Sequence, residues 1–266
     1  ENVEIGGQVI SPDQSFLNFL TTLLPVKPDQ PPKHPEPSKP KKEGSFVLLT
    51  KENFDSVQYN SRLAPRLETL SVEPPECKNP KIVLKAHQTS GLNWLVESYN
   101  RGYPGVLMAD DMGLGKTLQA LIFLAIMVET GKTETGEPIL IVAPVGLLKN
   151  WEEEHSKHLS GEGLGSFARL YGNGLKGFKV AKGRDIESGN ASLNTDKIKG
   201  HDWLLTTYET LRDYQASFGQ IRFSCVVFDE IQKAKNPRGL IYNGAKGLNR
   251  DFVVGLTGTP VENSLS

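Results

Sequence analysis

The run Ala109-Asp110-Asp111-Met112-Gly113-Leu114-Gly115-Lys116-Thr117-Leu118-Gln119 has the residue types and spacing of a phosphate-binding turn. Gly113 and Gly115 carry no side chain, so the backbone there can approach an anion closely. With a helix opening behind them, free N–H groups and the helix dipole favour negative charge at that point. The Lys116 ammonium would reach the β- and γ-phosphates of a nucleotide, and the Thr117 hydroxyl would ligate magnesium. The expected nucleotide-binding residues are therefore Asp111, Met112, Gly113, Leu114, Gly115, Lys116, Thr117 and Leu118. One position departs from the general phosphate-loop pattern, since the residue six before Lys116 is Asp110 and not glycine. An accidental turn can also carry Gly-x-Gly-Lys-Thr, so the flanking sequence has to decide.

A second stretch with chemistry is Val226-Val227-Phe228-Asp229-Glu230-Ile231-Gln232, an apolar run ending in two acids. On a strand, adjacent side chains face opposite ways, which would give the two carboxylates different tasks. Asp229 would hold magnesium and Glu230 would orient and deprotonate a water. A strand ending in solvated acids is the plainer alternative, and it loses ground beside a phosphate loop. A third stretch, Gly255-Leu256-Thr257-Gly258-Thr259-Pro260-Val261-Glu262-Asn263, leads a strand into a hydroxyl-bearing turn. Its threonines can hydrogen-bond toward the acids, although an ordinary Gly-Thr-Pro turn would look the same.

The elements that must position these residues follow from periodicity. Short apolar segments at Val106–Met108, Ile139–Ala143, Ala168–Tyr171, Trp203–Thr206, Val226–Phe228 and Phe252–Leu256 alternate with helical patterns. Leu118 to Val128 is one such helix, placed directly behind the turn. The alternation predicts an α/β fold with a mostly parallel sheet and helices on both faces. Ligands of such sheets bind at the carboxyl ends of the strands. The pair His155 and His158, beside Glu152 and Glu154, has helical spacing that could bind a metal, but no third ligand is marked and a solvated helix face is the simpler reading. Between 160 and 199, Gly, Ser, Asn and Lys predict loops around short elements.

At 266 residues the chain can build a full hydrophobic core, and 38% hydrophobic with 23% charged residues describes an ordinary soluble protein. No apolar run approaches the roughly 20 residues of a membrane helix. The opening Glu1-Asn2-Val3-Glu4 is not a secretory signal, and the missing initiator Met suggests an excised piece. Two cysteines, Cys77 and Cys225, make neither a disulfide framework nor a metal cluster, which implies a reducing, intracellular setting. A net charge of −1 offers no global attraction to nucleic acid, so any such binding must rest on local patches. Residues 1–24 form an N-terminal segment without an assigned role, with a short amphipathic helix expected over 15–24. Pro25 to Pro40 interleave with lysines, so 25–44 is expected to be an extended linker, with a proline-recognition ligand as the alternative. Residues 45–80, with a strand expected at Phe46–Leu49, form an accessory segment before a nucleotide-binding lobe at 81–266.

Three blocks together carry a resemblance. Asp110-Asp111-Met112-Gly113-Leu114-Gly115-Lys116-Thr117, then Asp229-Glu230-Ile231-Gln232 with Lys235-Asn236-Pro237 behind it, then Leu256-Thr257-Gly258-Thr259-Pro260 resemble the SWI/SNF-type ATPases of helicase superfamily two. Asp110, which breaks the general loop pattern, is what that family has. In the family's order, Leu84 to Leu95 resembles its Q motif, in which Gln88 takes the position that reads adenine. Ile139-Leu140-Ile141-Val142-Ala143-Pro144 through Trp151 resembles motif Ia, and Leu205-Thr206-Thr207-Tyr208-Glu209 resembles motif Ib.

The resemblance implies a RecA-like first lobe that uses ATP and Mg2+, with Gln88 at the base, Lys116 at the phosphates, Thr117 and Asp229 at magnesium, and Glu230 at the water. It implies double-stranded DNA as partner, gripped through phosphates by Lys149, Asn150 and Thr207, with Gln232, Thr257 and Thr259 coupling the site to movement. Gln232 stands where the family usually has histidine, which implies a different tuning of that coupling. Proline-rich stretches before the core recur in bacterial members, which would place the protein in the cytoplasm near the nucleoid; a eukaryotic member would be nuclear. A second RecA-like lobe with arginine fingers is expected outside this chain, so the piece alone should hydrolyse ATP poorly. The rival readings are a strand-separating helicase and a nucleotide-gated binding module with little turnover. A small-molecule kinase has no acceptor pocket in the sequence to support it.

Overall fold

A computed structural model describes residues 65–73, 75–180, 192–236 and 239–258, together with the backbone of two short strands, β1 (Val3–Ile5) and β2 (Gln8–Ile10). These two strands pair antiparallel as a hairpin of their own, which composition gave no reason to expect. The helix expected over 15–24, the linker at 25–44, the strand at Phe46–Leu49 and Thr259 lie outside the described residues.

The six apolar segments form one parallel sheet: β3 (Gly105–Met108), β4 (Ile139–Val142), β5 (Phe167–Leu170), β6 (Trp203–Thr206), β7 (Arg222–Asp229) and β8 (Asn249–Leu256). Their spatial order is β3-β8-β7-β4-β6-β5. Helix α1 (Ala86–Asn100) leads into β3. Parallel neighbours need crossovers, and helices such as α2 (Lys116–Glu129) after β3 and α3 (Leu148–His158) after β4 supply them. Four shorter helices complete the described set: α4 (Thr195–Lys199), α5 (Tyr208–Asp213), α6 (Gln215–Gly219) and α7 (Leu240–Lys246).

The strand period of two divides the core. Ile139, Ile141, Leu205, Cys225, Val227, Phe252 and Val254 face one side, where α1, α2 and α3 pack; Leu140, Val142, Leu204, Val226, Phe228 and Val253 face the other, with α4 to α7. All four residues of β4 are buried, as expected for a central strand covered on both faces. Every residue from Leu118 to Met127 is buried too, so α2 is a core helix with no solvent stripe. Each large side chain placed there contributes about 1.5–3 kcal/mol, which makes the loop-to-helix junction the most firmly held end of the loop. Cys225 is fully buried, and burial pushes its thiol far above the ordinary range, in keeping with a structural thiol.

Residues 65–80, expected to be accessory, are fastened to the lobe. Arg66 lies 3.9 Å over the Tyr99 ring and pairs with Asp251 at 2.6 Å. Leu70 is buried in the core, and its backbone exchanges hydrogen bonds with the Asn100 amide at 2.7 and 3.0 Å. The Glu129 carboxylate accepts from the backbone N–H groups of Glu76 and Cys77, both at 2.8 Å. The solvated helix face expected at His155 and His158 is also different in the structure. His158 is buried and pairs with Glu154 at 2.6 Å, while His155 stacks on Trp203 with centroids 4.8 Å apart. Trp203 on β6 offers a flat apolar partner that no helical periodicity could reveal. No helix of the described residues is long and apolar enough to cross a membrane.

Candidate functional site

The sheet register sets the site. Val142, Phe228 and Thr206 lie level across β4, β7 and β6, and Met108, Leu256 and Asp229 lie level across β3, β8 and β7. The residues just past these positions therefore share one carboxyl edge: the loop at 109–115, Pro144 and α3, Thr207, Glu230 and Thr257. That is where open parallel sheets bind ligands.

The loop has the conformation that its glycines require. Gly113 (φ +85) and Gly115 (φ +83) sit in the left-handed region, and Gly115 is the residue before the first turn of α2. A Cβ on Gly113 would meet nothing within 4 Å, whereas one on Gly115 would lie 2.4 Å from Gln88 Nε2. Asp111, Met112, Gly113 and Leu114 are exposed, and Lys116 and Thr117 are half-buried. The Lys116 ammonium donates to the backbone carbonyls of Asp110 at 2.5 Å and Asp111 at 2.9 Å. Open space over Gly113, the exposure of residues 111–114 and an ammonium resting on its own loop's carbonyls fit a nucleotide phosphate.

Gln88 connects this loop to α1. Its Oε1 accepts from the Lys85 N–H at 3.0 Å, and its Nε2 donates to the Leu114 carbonyl at 3.2 Å. His87 Nε2 also approaches that carbonyl at 3.2 Å. The amide expected to read a base here spans the start of α1 and the phosphate loop.

At the acidic end, Asp229 is buried as the last residue of β7. The Trp151 indole N–H donates to Asp229 Oδ2 at 2.8 Å, and the Tyr208 hydroxyl donates to the Asp229 carbonyl at 2.7 Å. Burial pushes the Asp229 carboxyl above the ordinary carboxylate range, opposed by the Trp151 hydrogen bond and the Lys116 charge. Burial likewise raises the Tyr208 hydroxyl well above the ordinary phenol range, which keeps it a donor. The register Met108–Leu256–Asp229 puts both halves of the site at the same sheet edge. The Asp229 carboxylate and the Thr117 hydroxyl, at the same edge of the sheet, offer oxygen donors of the kind that suits magnesium.

Glu230 corrects one expectation. It does not alternate with Asp229 along a strand; it leaves the strand at φ +52, ψ +52, in the left-handed region. The different directions of the two carboxylates thus come from a turn, at a strain of about 1–3 kcal/mol. Gln232 Nε2 donates to Glu230 Oε2. Thr257 is buried, and its N–H donates to the Met108 carbonyl at 3.0 Å, tying the third motif to the strand that feeds the loop. Met112 lies over Gly258, where a Cβ would come within 2.6 Å of its side chain.

Of the residues expected to meet DNA, Lys149 and Asn150 are exposed on α3, and Lys149 pairs with Glu153 at 3.0 Å. Thr207 is buried, and its hydroxyl accepts from the Thr210 N–H at 3.0 Å, capping α5. Trp151 and Tyr208 are the residues to which sequence reasoning assigned no role. The signal available was that each is a donor-bearing aromatic in the element that follows a buried strand, Tyr208 two residues past β6 and Trp151 in the helix after β4. Two surface clefts, of about 320 Å3 beside Arg212, Lys233 and Leu240 and about 330 Å3 beside Trp94, Arg101 and Tyr103, have no loop residue in their walls. The loop is an open edge, not an enclosed pocket.

Parallel sheet, left-handed glycine turn before a core helix and an acid pair on a neighbouring strand define a RecA-like nucleotide-binding lobe. Residues 87–266 match the SNF2-related domain, and the chain belongs to that family. It is 39% identical over 236 residues to the Zorya protein ZorD of Escherichia coli, a match covering 84% of this chain and 22% of that protein. It is 34% identical over 200 residues to the chromatin-remodeling ATPase INO80 of Lodderomyces elongisporus, covering 75% of this chain and 12% of that one. Among solved structures, the Sulfolobus solfataricus SWI2/SNF2 ATPase core in complex with dsDNA superposes with a TM-score of 0.57 at 31% identity, over 73% of this chain and 36% of that chain. The chain therefore spans well under half the length of these relatives.

Proposed function

We propose that this chain is the ATP-binding first lobe of a DNA-dependent ATPase that moves along double-stranded DNA and remodels protein–DNA complexes inside the cell. The observation that carries the reading is that the register puts the Lys116 loop behind β3 and Asp229 of β7 at one carboxyl edge of the sheet, in a lobe of SNF2 type. The Sulfolobus relative, solved on duplex DNA, supports the choice of partner.

Thr117 and Asp229 would hold magnesium, which would supply charge neutralisation at the phosphates. Lys116 exchanges the carbonyls of Asp110 and Asp111 for the β- and γ-phosphates of ATP, and Gln88 lies at the base side of the loop. Glu230 takes a proton from water at its carboxylate once Gln232 yields, and Thr257 and Thr259 report the change to the sheet edge. Lys149 and Asn150 grip DNA phosphates. The exposed Lys149–Glu153 pair is worth only about 0.5 kcal/mol, so a phosphate displaces it easily. Phosphate contacts carry no sequence information, which suits a protein that moves along DNA. A second lobe closing over the open loop completes the site, and the lobe alone turns over slowly.

The Gln232–Glu230 hydrogen bond favours one rival, a nucleotide-gated DNA-binding module in which the base is held idle. ATP turnover by the full-length protein, with and without duplex DNA, separates the two. Strong stimulation by duplex that disappears in Glu230→Gln supports the motor; tight ATP binding with no stimulated turnover supports the module. Displaced strands in the same reactions would instead indicate a strand-separating helicase.

A further inference from the structure

The segments proposed to touch DNA are separated in sequence, yet each sends its next residue to the same place. On α3, Asn150 is exposed and Trp151 is fully buried. Successive helical residues are turned by about 100°, so Lys149 and Trp151, two apart, point from nearly opposite faces of the helix. At the start of α5, Thr207 caps the helix and Tyr208, the next residue, is fully buried. Trp151 donates to Asp229 Oδ2 at 2.8 Å and Tyr208 donates to the Asp229 carbonyl at 2.7 Å.

A buried indole and a buried phenol need acceptors, and any carbonyl nearby would satisfy them. What calls for explanation is that both chose one residue, and that it is the acid expected to hold the cation. The sheet shows how this is built. β7 lies next to β4, and β4 lies next to β6, so the elements leaving β4 and β6 both reach the end of β7 from its β4 side. Asp229 itself is held in the ladder beside Leu256 and has little freedom to follow its neighbours. A shift of α3 or of the start of α5 therefore alters the hydrogen bond and leaves the acid where it is.

We propose that Trp151 and Tyr208 are positioning residues that carry DNA engagement to Asp229, each converting a displacement of its own segment into a change in how that acid is held. The inference rests on the DNA-dependent ATPase reading and adds to it the route by which DNA reaches the hydrolytic site. Hydrogen bonds weaken steeply with misalignment, so a small movement of either donor is felt at once. Coupling between sites is reciprocal in binding: if DNA tightens the hold on Mg2+ and nucleotide, these tighten the hold on DNA by the same factor.

The test uses the full-length protein with Trp151→Phe, Tyr208→Phe and both together. Each change removes a donor and keeps a ring in the core. Three quantities are read: turnover with and without saturating duplex, duplex affinity without nucleotide, and the tightening by duplex of Mg2+-dependent binding of a fluorescent ADP analogue. The expected result is a DNA stimulation ratio lowered about tenfold in Trp151→Phe and about threefold in Tyr208→Phe, with the tightening lost in parallel and duplex affinity without nucleotide within about twofold of wild type. The double variant should lose less than the product of the single effects, because both donors act on one residue. A merely structural role would lower turnover equally with and without DNA, and an unchanged ratio in both variants overturns the proposal. If wild type shows no stimulation, the ATPase reading fails and the coupling with it; a stimulated wild type with unchanged variants fails the coupling alone. Should Trp151→Phe not fold, Tyr208→Phe, which removes a single oxygen, decides.

Discussion

Lys116 and Asp229 end at the same edge of one sheet, but their surroundings differ. The loop that carries Lys116 stands largely in solvent and is shaped by backbone alone, with two left-handed glycines and carbonyls that hold the ammonium. Asp229 is buried, held by side chains from two other elements, and followed by the strained Glu230. A phosphate arrives from outside and must find an open cradle. A cation-holding carboxylate must be fixed beforehand, because its position sets the geometry of the reaction.

The sharpest way to probe the loop half is a pair of substitutions. Gly115→Ala places a Cβ in the left-handed region and against Gln88, whereas Gly113→Ala meets only the conformational strain. Nucleotide affinity, measured by titration with a fluorescent ADP analogue, should fall at least about tenfold for Gly115→Ala and roughly threefold for Gly113→Ala. Equal losses would show that loop conformation alone matters and that the contact with Gln88 contributes nothing.

The acid half makes the opposite prediction. Glu230→Gly relieves the left-handed strain and should raise stability to urea by about 1 kcal/mol while abolishing turnover. A less stable variant would mean that the Gln232 hydrogen bond outweighs the strain, and that the turn is held by its side chain.

The smallest effect comes from the scaffold between them. Burial holds the His155 imidazole below its ordinary value of 6.5, and its neutral Nε2 accepts from the Leu164 N–H at 3.2 Å. With the folded value depressed, the unfolded chain protonates first. Stability is therefore full above 6.5 and declines as pH falls from there through the folded value. His155→Gln keeps an acceptor without titrating, so its thermal midpoint should decline less between pH 7 and 5.5 than that of wild type. Parallel declines would assign the acid sensitivity to other groups; Asp229 is not one of them, because burial raises its carboxyl and so favours the folded state as pH falls.

Legibility followed the same division. All six strands of the parallel sheet were readable because each carries a short apolar run, continuous in the central strands, and their ends moved by at most four residues. The loop was readable because glycine beside Lys-Thr is a backbone requirement written into residue type. Trp151 and Tyr208 were in view as letters of two motifs, but their shared acceptor was not. Nothing within either segment refers to a residue 78 or 21 positions away. His155 was misjudged for the same reason, since its partner Trp203 belongs to another strand.

By itself, then, the sequence determined the α/β class, the phosphate loop and the acids, because these follow from local periodicity and from what single residue types can do. The tertiary structure alone decided that the elements after β4 and β6 converge on the end of β7, and that Glu230 leaves its strand by a left-handed turn. Both depend on the order of strands in the sheet and on side chains packing across it, and such contacts between distant residues have no local signature in the chain.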